Sequence, residues 1–392
     1  MRIALITTEY VTEENYDGGL ANYTHRLALA LIQLGHDPVV FVSSEKDESF
    51  NYQGVIVFRI KSKLILPKNI KFQFLIRKIY RLAYFFYQSW KLNKKINQIN
   101  LLNPFDILQY TQLDGVGLFR PKHIPVVIRL SSYTPWVRKA YEIKGGWLQD
   151  LVEYWALRKA DKIFCPSKII AEIVMEKYKF SVTVIESPFF IEAMQFDDNK
   201  YQEYLAGRRY LLFFGTIGIL KGVKVIAKIV RDFLNDHPEF VFVFVGKDIG
   251  TDKKNSMIDF VKEKANPFQE RVVYLGKLKK EMLYPIVQHA EIVVLPSRVD
   301  NFPNTCLEAM AFECIVIGTR GTSFEQIIED GKNGFLCEND NSKDLRETIE
   351  IVLNLSENEK QQIKKKAKER IDRLKPEIVV NQLIHLYEGI KK

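Results

Sequence analysis

The sequence predicts an α/β protein of two domains, each a parallel sheet with helices on both faces. Three observations predict it. Strand-like and helix-like segments alternate along the whole chain. Several strand segments are apolar without interruption, as in Phe-Val-Phe-Val-Phe-Val at 240–245, which suits strands buried on both sides. At 392 residues the chain exceeds one ordinary core and suits two.

Strands are expected at 2–7, 38–43, 54–60, 105–110, 125–130, 162–166 and 182–186, then at 210–215, 240–245, 271–275, 291–295 and 314–318. The first runs into a loop ending in Gly18-Gly19. A helix follows, with Leu27, Leu31 and Leu34 on one face and Gly35 as its stop. His36, just beyond, reads as a turn residue. The stretch 187–209 breaks the alternation with Pro188, several acids and Gly207, so the domain junction belongs there. The first domain is 1–190 and the second 191–375. A closing helix at 376–392, apolar at Val379, Leu383 and Leu386, is a candidate to cross back to the first domain.

An apolar share of 47% with 27% charged residues is ordinary globular composition. The formal charge of +9 is uneven: residues 1–200 carry 27 Lys and Arg against 20 acids, residues 201–392 carry 30 against 28. The first half is therefore the side to meet something anionic. Cys165, Cys306, Cys314 and Cys337 show no C-x-x-C or Cys/His pairing, so no metal site or disulfide framework is indicated. They read as core residues in a reducing compartment. No signal peptide is expected, since 1–8 reads as a strand with acids following at Glu9, Glu13 and Glu14. Apolar runs fall short of a membrane span. The expected location is the cytoplasm, with peripheral contact at the inner face of the membrane.

That contact is expected through 61–95. From Ser49 to Phe105 there is no acid, yet 11 Lys and Arg and a dozen aromatics. Phe72, Leu75, Ile76, Ile79, Leu82, Ala83, Phe86 and Trp90 recur at helical spacing, with Arg77, Lys78, Arg81, Lys91 and Lys95 toward the other side. Such a helix serves either as a basic amphipathic surface for anionic lipid or as an outer wall of the first domain. No nucleic-acid recognition motif accompanies the charge.

Residues 296–312 carry the chemistry. Asp300 and Glu308 are two acids eight positions apart, and the turn Asp300-Asn301-Phe302-Pro303-Asn304-Thr305 feeds a helix N-terminus. Backbone N–H groups from Phe302 to Thr305 are suited to an anion there. Glu308, expected in the helix's first turn, is suited to accept hydrogen bonds from a vicinal diol. The arrangement fits a ribose and a phosphorylated leaving group.

This segment resembles the donor-sugar signature of retaining family-4 glycosyltransferases, in which two glutamates flank seven residues ahead of Ala-Met-Ala; here the first is Asp300. The resemblance covers nearly the whole chain and implies the GT-B architecture, two Rossmann-like domains facing a cleft, with the acceptor on the first and the nucleotide-sugar donor on the second. In the family a Gly-Gly loop matching Gly18-Gly19 lies close to the donor phosphates, where a side chain blocks approach. The family's Gly-Arg and Lys-Gly clamp the donor diphosphate. Lys221 stands at the lysine position and Thr216 where the arginine is expected; Arg298, Arg320, Lys247 and Arg129 are candidate substitutes. The resemblance thus implies Lys221 and Asp300 as catalytic groups, and Gly18, Gly19, Thr216 and 300–305 with Glu308 as donor contacts. The stretch 155–167 also matches the family's pattern and reads as structural.

Family members often place a histidine after the strands at 106–110 or 126–130, and this chain has none there. Gln109, Thr111, Ser131 and Ser132 are left to hydrogen-bond a sugar on the acceptor side. Front-face retaining transfer does without a histidine, because the leaving phosphate takes the acceptor's proton, and protein catalysis is positioning and charge stabilisation. No D-x-D triplet occurs, so neither metal nor cofactor is expected and the nucleotide sugar is a substrate. A catalytically silent relative and a nucleotide-sugar epimerase of the same architecture are the alternatives.

Overall fold

Five consecutive buried side chains make β1 (Arg2–Thr7) a strand that needs cover on both faces. The computed structural model supplies that cover; it describes residues 1–13, 18–62, 73–140, 145–251 and 256–390, and all of their side chains except those of 73–78 and 139–140. The chain divides into two units, Met1–Phe190 with Leu374–Lys392, and Ile191–Arg373.

In unit 1, β1 is followed by α1 (Gly19–Gln33), β2 (Asp37–Ser44), β3 (Glu48–Tyr52), β4 (Val55–Lys61), α2 (Gln73–Leu102), β5 (Ile107–Thr111), β6 (Val126–Arg129), α3 (Thr134–Ala140), α4 (Trp147–Leu157), β7 (Lys162–Cys165), α5 (Lys168–Tyr178) and β8 (Val182–Val184). The sheet order is β3-β4-β2-β1-β5-β6-β7-β8, and only β3 runs antiparallel. β3 was not expected from the sequence: Glu-Ser-Phe-Asn-Tyr is an edge strand, half exposed, with no apolar run to betray it.

The apolar repeat of α2 divides: Ile79 is 63% and Trp90 47% exposed, while Leu82 and Phe86 are partly buried against Phe85, Leu118 and Val152. Phe72 lies outside the described residues, as do the side chains of Leu75, Ile76, Arg77 and Lys78. The face turned inward is Phe85, Gln88, Ser89, Leu92, Asn93, Ile96 and Asn100. Its polar members are tolerated because they are hydrogen-bonded. Gln88 donates to Ser43 Oγ at 2.9 Å, and Ser89 to the Val116 carbonyl at 2.9 Å. Asn93 donates to that same carbonyl at 2.9 Å and accepts from the Tyr110 hydroxyl at 2.6 Å.

Unit 2 comprises α6 (Asn199–Tyr204), β9 (Arg209–Phe214), α7 (Val223–Asp236), β10 (Phe240–Val245), α8 (Met257–Lys264), β11 (Val272–Tyr274), α9 (Lys280–Gln288), β12 (Ile292–Val294), α10 (Asn304–Ala311), β13 (Val316–Thr319), α11 (Phe324–Ile327), β14 (Phe335–Cys337), α12 (Ser342–Leu353) and α13 (Glu357–Asp372). Its sheet, β11-β10-β9-β12-β13-β14, is parallel throughout. Every residue of β10 is buried. β14, three residues long, was also not expected. The start of α13 carries a capping box, Ser356 and Glu359 each accepting the other's backbone N–H.

The last helix, α14 (Pro376–Glu388), belongs to unit 1, where it buries Val379, Val380, Leu383 and Tyr387. Its Tyr387 hydroxyl donates to Gln109 Oε1 at 2.5 Å. All four cysteines are buried free thiols. Among the described residues no helix is long and apolar enough to cross a membrane.

Candidate functional site

In each sheet the strand order reverses once, and loops leaving the carboxyl ends on either side of that point diverge to leave a crevice. In unit 2 the reversal lies at β9, flanked by β10 and β12. The loop after β9 holds Gly215, Thr216, Lys221 and Gly222; the loop after β12 holds 296–303.

These two loops touch through backbone. Gly222 sits at φ +73°, and a Cβ there falls 1.7 Å from the Pro296 carbonyl oxygen, so no other residue fits without displacing the loop. The Arg298 N–H donates to the Leu220 carbonyl at 2.8 Å. That approach sets Lys221 opposite Asp300, with Nζ 2.5 Å from Oδ2. The Asp300 side chain is mostly buried while that of Lys221 is 36% exposed, so the cation faces solvent from a fixed carboxylate. Ser323 Oγ donates to the Asp300 carbonyl at 2.6 Å and ties this turn to the loop after β13. At the end of β9 a Cβ on Gly215 lies 3.3 Å from Thr305 Cγ2, so α10 begins against the β9 loop.

Helix α10 has Pro303 as its N-cap and no side-chain cap. It starts at Asn304, so Glu308 is one turn in, not in the first turn as expected from the sequence, and no acid occupies that turn. Glu308 is buried, at 7% exposure.

The four candidate cations separate cleanly. Arg320 is held by Asp330 and Glu338, and Arg298 lies 3.8 Å from Asp340. Arg129 belongs to unit 1, buried 3.5 Å from the centre of the Tyr23 ring, where burial lowers its pKa. Lys247 is exposed, and its carbonyl accepts the Ile217 N–H at 2.8 Å, which places it beside Thr216.

In unit 1 the reversal lies at β1, flanked by β2 and β5. Gly18 caps α1 at φ +95°, and among the described residues nothing lies within 4 Å of a Cβ on Gly19. Past β5 and β6, Thr111 Oγ1 lies 3.2 Å from Ser131 Oγ. The Gln112 side chain accepts from the Ser131 N–H at 2.6 Å and donates to the Ser132 carbonyl at 2.7 Å. Thr111, Ser131 and Ser132 are therefore neighbours. Gln109 is not with them: its amide is taken up by Tyr23 and Tyr387 inside the core.

Sequence reading missed a carboxyl pair beside this point. Asp114, left-handed at φ 57°, donates its N–H to Glu153 Oε1 at 3.3 Å, and Gln149 bridges the two carboxyls at 3.2 and 3.0 Å. Burial pushes Asp114 up to about 6, with Arg81 opposing and Glu9 adding. Burial, then the Asp114 charge, pushes Glu153 up to about 8. The Asp114-Gly115 dipeptide just after a strand was the signal available. Among the described residues no three His, Cys, Asp or Glu gather as metal ligands.

Two family models tile the chain: "Glycosyltransferase Family 4" matches 17–188 and "Glycosyl transferases group 1" matches 195–370. An uncharacterized glycosyltransferase of Methanocaldococcus jannaschii is 25% identical over 345 residues, 87% of this chain and 86% of that protein. The capsular polysaccharide biosynthesis glycosyltransferase CapM of Staphylococcus aureus is 22% identical over 276 residues, 65% of this chain and 71% of that one. Among solved structures, sucrose-phosphate synthase from Thermosynechococcus elongatus superposes with TM-score 0.76 at 16% identity, over 99% of this chain and 98% of that one. That likeness carries the fold, two Rossmann-like domains of the GT-B type.

Proposed function

Since the chain belongs to the group 1, family 4 glycosyltransferases, retaining enzymes that use nucleotide-sugar donors, we propose that it moves a sugar from a nucleotide-diphosphate sugar to a hydroxyl of a glycan or lipid-linked saccharide, with retention and without a metal. The observation that carries this is the Lys221–Asp300 pair at the β9–β12 reversal. Lys221, partly exposed above a mostly buried carboxylate, is a cation poised for a diphosphate, and Asp300 positions it and lies beside the sugar. Glu308 takes the ribose diol. The turn Asp300-Asn301-Phe302-Pro303-Asn304-Thr305 presents the start of α10 to the phosphates. Lys247, beside Thr216, is the second cation.

In unit 1, Gly18 and Gly19 offer open backbone to a phosphate, and Thr111, Ser131 and Ser132 offer hydrogen bonds to the acceptor. The bond from the sugar's C1 to the diphosphate oxygen breaks, the acceptor oxygen bonds to C1 on the same face, and the acceptor's proton passes to the leaving phosphate. No protein nucleophile takes part. The likeness to a capsular polysaccharide enzyme supports a polysaccharide or its lipid-linked precursor as acceptor. Contact with an anionic membrane surface is assigned to 61–95, of which 63–72 lie outside the described residues; exposed Ile79 and Arg81 on α2 support it.

Thr216 at the arginine position favours a second reading, a silent binder of nucleotide sugars. Incubation with a panel of labelled nucleotide sugars separates the two. Slow hydrolysis of one donor, surviving EDTA, is the expected result. Binding without turnover selects the silent binder, and activity lost in EDTA and restored by magnesium or manganese overturns the metal-free reading.

A further inference from the structure

Far along the sheet from the β1–β5 crevice, unit 1 carries a cavity of about 430 Å³ between α2 and the β3–β4 edge. That volume lies in the range of small-molecule sites. Its acids are already engaged. Glu48 pairs with Arg59, and Asp47 Oδ1 accepts the Lys61 N–H at 2.8 Å. Its lysines are not. Lys91, Lys94 and Lys95, on one face of α2, have no carboxylate partner among the described residues. They lie on aromatic rings instead: Lys94 Nζ is 5.1 Å from the centre of Trp90 and Lys95 Nζ 5.6 Å from that of Phe58.

Like charges three and four residues apart on a helix repel. Three of them around one concavity are stabilised by an anion placed among them. The indole of Trp90, 47% exposed at the cavity wall, adds an apolar platform. Multiple anionic groups beside an aromatic face describe a charged sugar better than a bare ion. The position describes a chain better than a single ring, since β4 lies two strand spacings from β1, about 10 Å.

We propose that this cavity binds a segment of an anionic saccharide, its carboxylate or phosphate groups on Lys91, Lys94 and Lys95 and one sugar ring against Trp90. Placing that segment in an acceptor rests on the transferase reading above. Binding itself does not.

The full-length chain is titrated by calorimetry with an oligogalacturonate, a neutral malto-oligosaccharide and inorganic pyrophosphate. It is also sedimented with phosphatidylcholine vesicles with and without phosphatidylglycerol. Thermal melts check folding, and donor hydrolysis is measured alongside. The oligogalacturonate is expected to bind and the neutral sugar not. Lys91→Gln with Lys95→Gln is expected to weaken binding about tenfold or more, with unchanged donor hydrolysis, and Trp90→Leu to weaken it less. Unchanged affinity in the double variant overturns the proposal, as does pyrophosphate binding as tightly as the oligosaccharide without dependence on Trp90. Vesicle binding that alone responds to these variants leaves the lysines to the membrane contact proposed above for 61–95 and overturns the saccharide site. Failed donor hydrolysis with intact oligogalacturonate binding counts against the transferase reading only.

Discussion

Lys221 and Glu308 are expected to fail differently when truncated. Lys221→Ala removes a charge that acts on a leaving diphosphate, so turnover falls while donor affinity holds nearly steady. Glu308→Ala removes an acceptor for the ribose diol, so donor affinity falls about ten- to a hundredfold, the value of one charged hydrogen bond. Calorimetry with the donor and a hydrolysis assay read both; identical losses in the two variants contradict the division of roles. Glu153 supplies a test by pH. Its folded pKa of about 8 exceeds the ordinary 4.5, so the folded protein keeps a proton that the unfolded chain releases. Stability is complete below about 4.5, declines as pH rises toward 8, and is level above. Glu153→Gln retains the acceptor for Gln149 and Asp114 but does not titrate. It is expected to raise the melting temperature by several degrees above pH 8 and to leave it nearly unchanged near pH 4. Lys221 and Asp300 were each singled out through likeness to a short family motif directly after a strand; their pairing was not read from the sequence. Nor was the Asp114–Glu153 contact, because it joins residues 39 apart through packing that periodicity does not encode.

Elements were legible where burial dictates sequence. The expected strand at 240–245 coincides with β10 because a central strand has no polar choice open to it. β3 and β14 escaped because an exposed edge and a three-residue strand place little demand on composition. Helix α2 escaped in a different way. Its inner face mixes Phe85, Leu92 and Ile96 with Gln88, Ser89 and Asn93, whose hydrogen bonds keep polar side chains in the core where periodicity alone does not place them. A glycine comparison tests the loop contact at the unit 2 site. Gly35→Ala meets open space and bears only the left-handed backbone, about 1–2 kcal/mol. Gly222→Ala adds a collision with the Pro296 carbonyl, for a total on the order of 2–4 kcal/mol. Thermal melts with and without donor are expected to show Gly222→Ala alone losing donor stabilisation. Equal effects of the two substitutions contradict a shared backbone seat for Lys221 and Asp300.

At the scale of the molecule, unit 1 is discontinuous and unit 2 is not. Stopping the chain after Arg373 removes α14, exposes the α1 surface it covers and leaves Gln109 without Tyr387. The truncated protein is expected to show an early melting transition for unit 1, lowered by many degrees, with the transition of unit 2 nearly unmoved. Calorimetry with limited proteolysis measures this, and a single unshifted transition contradicts it. The same discontinuity has a consequence during synthesis. Domains commonly fold in the order in which they leave the ribosome. Here the first unit waits for the last helix, while the second has its whole sequence beforehand. The nascent chain therefore carries unit 1 uncovered while unit 2 is made, and the emergence of α14, rather than the domain junction, sets the moment at which unit 1 closes.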